Sequence, residues 1–290
     1  MKRKALTRRA FLAGSVGGLG MALGPFRFFG VRNDPSIFAD SFPALGTRLR
    51  VVIRTADERH ARWAMRQAMA AVFDVHHCMT LHDESPLTVL NRRGELVVPE
   101  SFIKVLAEAK RVHRASEGAF DPTVQSVAGG IDEIEVDAHN RRVAFHRPEL
   151  SLDFNGIAKG YAVDRAVQAL RDAGFDDFLV NAGGDLYASG TDAAGAAWDV
   201  RLDVPGTARR WRISDRAVAT SGTLHQPIHL RSPTGHELQW QSATVLAPTC
   251  MQADAWATAL FVQPHRGAPA WGDGMNGEWS TASGAIVEAV

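Results

Sequence analysis

The sequence predicts an α+β fold in which helices pack on mixed sheets. Amphipathic helix patterns dominate the first third of the chain, and strand and helix patterns alternate after it. The 290 residues are 46% hydrophobic and 22% charged, which is typical of a globular protein with a sizeable core. The 32 basic and 32 acidic residues cancel, so no nucleic-acid partner is expected. The two cysteines, Cys78 and Cys250, lie in apolar context, which favours separate thiols over a disulfide.

The patterns of the first third follow one another in chain order. Residues 42–54 predict a strand, and the apolar spacing over residues 56–79 predicts a long amphipathic helix. A short helical turn is predicted at residues 85–91. Pro99 begins another helix, which ends before the turn at Gly118.

The remaining patterns alternate between strand and helix. Residues 131–147 predict two short strands, and residues 151–170 predict a strand, a turn and a helix. Residues 198–203 and 211–213 predict antiparallel strands, and residues 244–262 predict a strand, a Pro-Thr turn and a helix that Thr249 caps. This succession predicts the α+β class.

The N-terminus has the pattern of an export leader. Residues 1–9 are basic and end in the pair Arg8 and Arg9, and a glycine-rich apolar stretch follows. This arrangement indicates a Tat-type signal and therefore a periplasmic protein, with an uncleaved membrane anchor as the alternative. We therefore expect residues 1–35 to be leader and linker and residues 36–290 to form the functional domain.

A carboxylate and a hydroxyl lie one helical turn apart in the segment A-D-A-W-A-T. Asp254 and Thr258 would share one face of a helix, where they offer two hard oxygens to a cation such as Mg²⁺. The same spacing occurs in many helices, where the residues are simply solvated or act as caps. The pair is a candidate metal site that needs support from other segments.

A glycine-bracketed turn opens the predicted helix within residues 151–170. Gly156 and Gly160 flank Lys159, so the backbone could approach an anionic ligand at free helix amides, with a cation beside it. The alternative is an ordinary strand-to-helix connection with a surface lysine. Two other segments, residues 178–186 and 217–235, contain paired glycines, hydroxyls and histidines, and each taken alone indicates a turn.

Taken together and in this order, the segments resemble the ApbE family of FAD:protein FMN transferases. The family's motifs are echoed at residues 44–47, 118–123, 153–164, 181–185, 220–222 and 253–258. The resemblance implies a two-lobed, T-fold-related α+β domain. It also implies Mg²⁺-dependent transfer of FMN from FAD onto a threonine or serine hydroxyl of a target flavoprotein, with release of AMP.

The resemblance also implies roles for individual residues. The metal ligands would be Asp254, Thr258 and a backbone carbonyl near Gly156. Lys159 would hold phosphate charge, and His229 would polarise the incoming hydroxyl, although a strand histidine bonded to backbone is the alternative. The residues expected to contact FAD are Leu45, Ala119, Phe120, Asp121, Asp153, Lys159 and His229.

Two positions depart from the family pattern. Leu45 stands where the family has methionine, an apolar exchange of similar volume that would keep the flavin packing. The run H-L-R-S-P-T-G places Ser232 at the family's aspartate and is one residue shorter, which puts one polar contact near the flavin nucleotide in doubt.

Other activities remain compatible with the sequence. A protein of this kind could hydrolyse FAD to FMN and AMP, or it could bind FAD as a carrier or assembly factor. For the transferase, the expected partner is an acceptor flavoprotein such as a periplasmic domain of a membrane redox complex.

Overall fold

The computed structural model describes residues 26–28, 36–204, 207–222, 241–262, 274–280 and 286–289. The helices of this part of the chain are α1 (Glu58–Met79), α2 (Pro86–Arg93), α3 (Glu100–Ala115), α4 (Ala158–Asp172) and α5 (Cys250–Val262). Its first strands are β1 (Phe26–Phe28), β2 (Ile37–Ala44), β3 (Thr47–Arg54), β4 (Glu95–Val97), β5 (Ile134–Asp137), β6 (Arg142–Phe145) and β7 (Phe178–Ala182). The later strands are β8 (Asp185–Ser189), β9 (Trp198–Val204), β10 (Thr207–Ile213), β11 (Arg216–Gly222), β12 (Ser242–Ala247), β13 (Asn276–Ser280) and β14 (Ile286–Ala289).

The predicted α+β class is confirmed, and the strands form three sheets. The largest has eight strands in the order β14-β13-β12-β11-β8-β7-β3-β2. Two smaller sheets have the orders β1-β9-β10 and β4-β6-β5. Strand pairing is antiparallel throughout the described residues, where mixed sheets were expected. The pairs β2–β3, β5–β6 and β7–β8 are joined by short turns, which require antiparallel pairing.

The single strand predicted at residues 42–54 is a hairpin. Leu45 and Gly46 both have positive φ, at 55° and 71°, which matches the tight two-residue turns that suit the twist of paired strands. The alternation of apolar residues continues on both sides of the turn, so the pattern alone did not separate β2 from β3.

The first three helices begin and end close to the predicted residues. Ser85 and Thr88 form a capping box at the start of α2, where Pro86 occupies the first turn. Pro99 precedes α3, as predicted. The core side of α1 consists of buried, mostly small or flexible apolar residues that pack on α4 and the large sheet.

Apolar side chains cover both faces of the large sheet. Helices α1, α4 and α5 pack on one face and form the main core. On the other face, Val52, Leu179 and Val218 pack against Trp198 and Val200 of the β9–β10 hairpin. The sheet is therefore a rigid support, and its strand ends position the turns that follow them.

Some of the predicted features lie outside the described residues. These are most of the leader, the run that contains His229 and Ser232, and the segment after residue 262 that precedes β13. In the part of the chain that is described, no helix has the length and apolar character needed to span a membrane. Cys78 and Cys250 are both buried free thiols, which confirms that prediction.

Candidate active site at one end of the large sheet

Three motif segments meet at one end of the eight-stranded sheet. The turn at Leu45 joins β2 to β3, and the paired glycines Gly183 and Gly184 join β7 to β8. The third segment, T-S-G, was expected to be a turn but forms the last residues of β11. The Thr220 amide donates to the Gly184 carbonyl at 3.1 Å, so this strand end lies beside the glycine turn.

Helices α4 and α5 cross this end of the sheet in close contact. A Cβ atom on Gly160 would lie 2.2 Å from the Cys250 carbonyl oxygen, so only glycine allows the two backbones to approach this far. The Gly160 amide donates to Asp254 Oδ2 at 2.9 Å. The first turn of α4 is thereby tied to the middle of α5.

The predicted metal ligands come together where these helices meet. Asp254 is only 2% exposed, so it is not a solvated surface acid, and it is the fifth residue of α5, so it does not cap its own helix. A Cβ on Gly156 would lie 3.2 Å from Thr258 Oγ1, which places the glycine turn directly against that hydroxyl. The Ser221 and Thr258 hydroxyl oxygens are 3.2 Å apart. The donors are carboxylate, hydroxyl and carbonyl oxygens, the hard ligands that Mg²⁺ prefers, so the residues present fit that ion.

Lys159 lies between two buried carboxylates. Its ammonium group forms a salt bridge with Asp185 and lies 3.4 Å from Asp254 Oδ1. Burial lowers the pKa of Lys159, but the charges of Asp185 and Asp254 outweigh this effect and raise the pKa above its ordinary value. The lysine is therefore a fixed positive charge, and its side chain remains 35% exposed.

Asp185 is the residue that completes this charged cluster. It is 1% exposed, and burial together with the charge of Asp254 raises its pKa, while Lys159 opposes the rise. Two carboxylates share one ammonium group, which leaves an excess of negative charge in a buried place. A divalent cation at Asp254 would balance that charge.

The expected FAD residues of the G-A-F-D-P-T segment lie against the metal ligands. Ala119 and Phe120 are buried, and Phe120 Cε2 lies 3.1 Å from the place a Cβ on Gly156 would occupy. Asp121 is partly exposed, and its Oδ1 accepts hydrogen bonds from the amide and the hydroxyl of Thr123. The turn is thus held by its own aspartate, while the Phe120 ring forms part of the site wall.

Asp153 lies in the loop next to this turn. Its amide donates to the Pro122 carbonyl at 2.8 Å, and its carboxylate accepts from Gln125 and Asn155. Residues 151–154 pair with no strand among the described residues, contrary to the predicted strand. Asn91 instead binds both the amide and the carbonyl of Leu152, each at 2.8 Å, so a side chain satisfies the backbone that a strand partner would have bonded.

The first amides of α4 are less available than the sequence suggested. The Ala158 amide donates to the Phe154 carbonyl at 2.8 Å, and the Gly160 amide is bonded to Asp254. The glycine turn therefore brings a carboxylate to the helix start, which is itself a favourable place for negative charge. Two of the amides that were expected to be free are thus bonded within the chain.

One family model covers nearly the whole set of motifs. The family model of the ApbE family matches residues 45–278. The chain belongs to the ApbE family. The motif segments fall within that match, except that the first, residues 44–47, begins one residue before it.

Curated relatives and solved structures agree with this assignment. An FAD:protein FMN transferase of Haemophilus influenzae is 28% identical over 232 residues, covering 63% of this chain and 67% of the relative. One of Klebsiella pneumoniae is 24% identical over 269 residues, covering 75% and 76%. The flavin transferase ApbE from Vibrio cholerae superimposes with a TM-score of 0.76 at 23% identity, over 87% of this chain and 97% of the other. The apo form of the Pseudomonas stutzeri flavinyl transferase ApbE gives 0.77 at 21% identity, over 87% and 94%, so both structures support the ApbE fold.

Three side chains of this ApbE site had no predicted role. Asp185 binds Lys159, Ser221 lies beside the Thr258 hydroxyl, and Asp164 accepts hydrogen bonds from the Cys250 and Met251 amides. Burial raises the pKa of Asp164 to about 7, and the two amide bonds act against that rise. The sequence could have predicted that Asp164 lies near α5, because it follows Gly156 and Gly160 at the same four-residue spacing. The contacts of Asp185 and Ser221 depend on how separate segments fold together.

Proposed function

We propose that this chain transfers FMN from FAD to a hydroxyl group of a target protein. The observation that carries the proposal is the meeting of Gly156, Asp254 and Thr258 at the end of the large sheet. The proposal is also supported by two curated relatives of this chain, which are both named FAD:protein FMN transferase.

The metal site would use the side chains of Asp254 and Thr258 and a carbonyl of the Gly156 turn. The Thr258 hydroxyl can donate its hydrogen to Ser221 and keep its lone pairs for the cation. Bound Mg²⁺ would neutralise charge on the pyrophosphate of FAD. The buried carboxylates of Asp254 and Asp185 supply the negative charge that attracts the ion.

The chain's own residues would hold FAD around this ion. Lys159 keeps its positive charge and remains partly exposed, so it can bind a phosphate oxygen while paired with Asp185. Phe120 and Ala119 form an apolar wall, and Asp121 and Asp153 offer acceptors beside it. The turn residue Leu45 would pack against the flavin.

The reaction would exchange the phosphoanhydride bond of FAD for a phosphoester bond to the acceptor. The hydroxyl oxygen of an acceptor threonine or serine forms a bond to the phosphorus atom of the FMN half of FAD. The bond from that phosphorus to the bridging oxygen breaks, and AMP leaves with that oxygen. The hydroxyl proton passes to a base, for which His229 is the candidate, since a neutral imidazole accepts protons near pH 7.

The place of action would be the periplasm. The proposal depends on the twin-arginine pattern at Arg8 and Arg9 and on the apolar stretch that follows it. The acceptor would then be an exported flavoprotein or a periplasmic domain of a membrane redox complex. Microscopy or fractionation of the full chain, with Arg8→Lys and Arg9→Lys as the export-defective control, would test this.

The transferase is tested by mixing the leaderless chain with FAD, Mg²⁺ and a candidate acceptor domain. We expect a fluorescent flavin band on the denatured acceptor and release of AMP. Asp254→Ala, or a chelator, should abolish both. Asp172→Ala is the matched control, because it removes an acidic residue at the other end of α4 that is bonded only to Gln168 among the described contacts.

The products separate the three candidate functions. Equal AMP release with and without acceptor, and no labelled band, would indicate an FAD pyrophosphatase. FAD binding without either product would indicate a carrier. A His229→Ala variant that transfers at the full rate would remove this residue from the mechanism.

A further inference from the structure

The contact between the α4 segment and α5 repeats every four residues. Gly156 lies against Thr258, and Gly160 lies against Asp254. Four residues farther along α4, Asp164 reaches the first residue of α5, Cys250. Residues four apart lie on one face of a helix, so Cys250, Asp254 and Thr258 form one stripe on α5. Gly160 and Asp164 share one face of α4, Gly156 lies in the turn just before it, and the two segments run in opposite directions.

The Asp164 contact is the polar end of this stripe. One carboxylate oxygen accepts from the Cys250 amide at 2.7 Å, and the other accepts from the Met251 amide at 2.9 Å. A carboxylate at a helix N-terminus is favourable, because free amides and the helix dipole both attract negative charge. Here the carboxylate comes from another helix, so the bond fixes α5 relative to α4 as well as capping it.

A second cap at the same helix end does not link the helices. Thr249 Oγ1 accepts from the Gln252 amide at 3.3 Å, and both residues belong to the α5 segment. The chain therefore contains two caps at one helix end, one local and one from α4. Their effects on helix stability and on helix position can be separated by substitution.

The contact at Gly160 is between backbone atoms, so no change of side-chain rotamer can compensate for a shift of one helix against the other. At Gly160 the two backbones are in contact, and the atom nearest to the position of an added Cβ is the carbonyl oxygen of Cys250. A shift of α5 along its axis would change the contact at all three levels together. The distance from Asp254 and Thr258 to the Gly156 turn thus depends on where the N-terminus of α5 is held.

We propose that Asp164 is a positioning residue that sets the register of α5 against α4 and thereby the affinity of the site for a divalent cation. The proposal rests on the metal site of the proposed function. Asp164 touches neither the cation nor FAD in this scheme, and its effect passes through the backbone of α5. It should therefore change metal affinity more than the rate at saturating metal.

The test measures Mn²⁺ binding to the leaderless protein by the EPR signal of free Mn²⁺, at about pH 8, where ordinary carboxylates are ionised. Mn²⁺ prefers the same oxygen ligands as Mg²⁺. We expect Asp164→Ala to raise the Mn²⁺ Kd by about 10-fold or more, the range seen when a residue that supports metal ligands is lost. Asp164→Asn keeps one acceptor oxygen and should give an intermediate Kd.

Thr249→Ala is the matched control. It removes the local cap from the same end of α5 and should leave the Mn²⁺ Kd near the wild-type value. Amide hydrogen exchange at Cys250 and Met251 should speed up in the Asp164 variants, and AMP release at saturating Mn²⁺ should return towards the wild-type rate. If Asp164→Ala does not fold, Asp164→Asn provides the same comparison.

Two results would overturn the proposal. One is an unchanged Kd in a folded Asp164 variant. The other is an equal loss of affinity in Thr249→Ala, which would mean that any cap at this helix end has the same effect. Wild-type protein that binds Mn²⁺ but neither labels an acceptor nor releases AMP would refute the proposed function and leave the comparison of affinities valid.

Discussion

Lys159 is shared unequally between its two carboxylate neighbours. The ammonium group is bonded to Asp185 and stays at 3.4 Å from the nearer oxygen of Asp254. Asp185 thus draws the lysine away from the carboxylate that is expected to bind the metal. Buried charges are costly unless paired, so the position of this one ammonium group affects the availability of Asp254.

Replacing Asp185 by asparagine should therefore weaken metal binding without touching a ligand. In Asp185→Asn the ammonium group loses its main partner and moves towards Asp254, where it competes with the cation. We expect the Mn²⁺ Kd to rise by about 10-fold or more, as for other residues that support metal ligands. Free Mn²⁺ measured by EPR gives the Kd directly.

The control for this substitution is Asp199→Asn. Asp199 also pairs with a basic residue, Arg210, but the pair lies on the β9–β10 hairpin. An Asp199→Asn protein should bind Mn²⁺ with the wild-type Kd. Unchanged affinity in Asp185→Asn would mean that the ammonium group does not compete for Asp254.

At the scale of elements, the site depends on two helices that touch through backbone atoms. Gly160 has a helical backbone that any residue could adopt. Glycine is required there because the backbone of α5 lies too close for a Cβ atom. The contact brings the first turn of α4 to Asp254 and the preceding turn to Thr258. Any side chain at this position must push the helices apart.

We accordingly expect Gly160→Ala to be destabilising, although alanine favours helices. The added Cβ would overlap a backbone carbonyl and cannot be relieved by a rotamer change. Overpacking of this kind costs about 1–3 kcal/mol, against a gain in helix propensity of up to about 1 kcal/mol. Urea denaturation should show a lower free energy of unfolding, and Mn²⁺ binding should weaken.

Gly130→Ala is the matched glycine replacement. Gly130 has extended backbone, and a Cβ there would have no atom within 4 Å. Its free energy of unfolding should stay within about 0.5 kcal/mol of wild type, as for surface substitutions. Equal losses in the two variants would contradict a specific role for the helix contact.

At the scale of the whole molecule, a sheet that is buried on both faces supports a site built from distant parts of the chain. Residues near 45, 184 and 221 reach one end of the sheet because antiparallel strands end there. Helices α4 and α5 bring residues near 156 and 256 to the same end, and Phe120 packs beside Gly156. The C-terminal end of α1 packs on the same core. His76 lies half-buried in its last turn, so its protonation affects the stability of the whole protein.

The free energy of unfolding should rise with pH over the range in which His76 is protonated in the unfolded chain but neutral in the folded protein. Burial, and then the neighbouring His77, lowers the pKa of His76 below its ordinary value of 6.5. Between the lowered pKa and 6.5 the unfolded chain binds a proton that the folded protein does not, so the folded state loses stability as pH falls through this window. Above the window this effect is absent.

His76→Gln should therefore reduce the fall in stability on acidification. Urea denaturation at about pH 7 and about pH 5, on either side of the ordinary histidine pKa, gives the difference for each protein. His139→Gln, in the exposed turn between β5 and β6, should retain the wild-type difference. An unchanged difference in His76→Gln would remove this residue from the acid response.

Much of the fold could be predicted from local sequence. The α1, α2 and α3 boundaries follow from apolar spacing and from Ser85, Pro86 and Pro99, since caps and periodicity act within a few residues. The hairpin at Leu45 was missed because leucine seldom adopts positive φ, and the strand expected at residues 151–154 was wrong because Asn91 satisfies that backbone.

The candidate ligands Asp254 and Thr258 and the turn at Gly156 were named from the family resemblance, with support from the four-residue spacing that puts Asp254 and Thr258 on one helix face. The sequence by itself therefore determined the fold class, the family and the types of group at the site. Only the tertiary structure decided that Asp185 holds Lys159, that Ser221 lies beside Thr258, and that Asp164 ties α5 to α4. These contacts join residues up to 87 positions apart, as between Asp164 and Met251. Local periodicity contains no information about such pairs, since their separation is fixed by how sheet and helices pack.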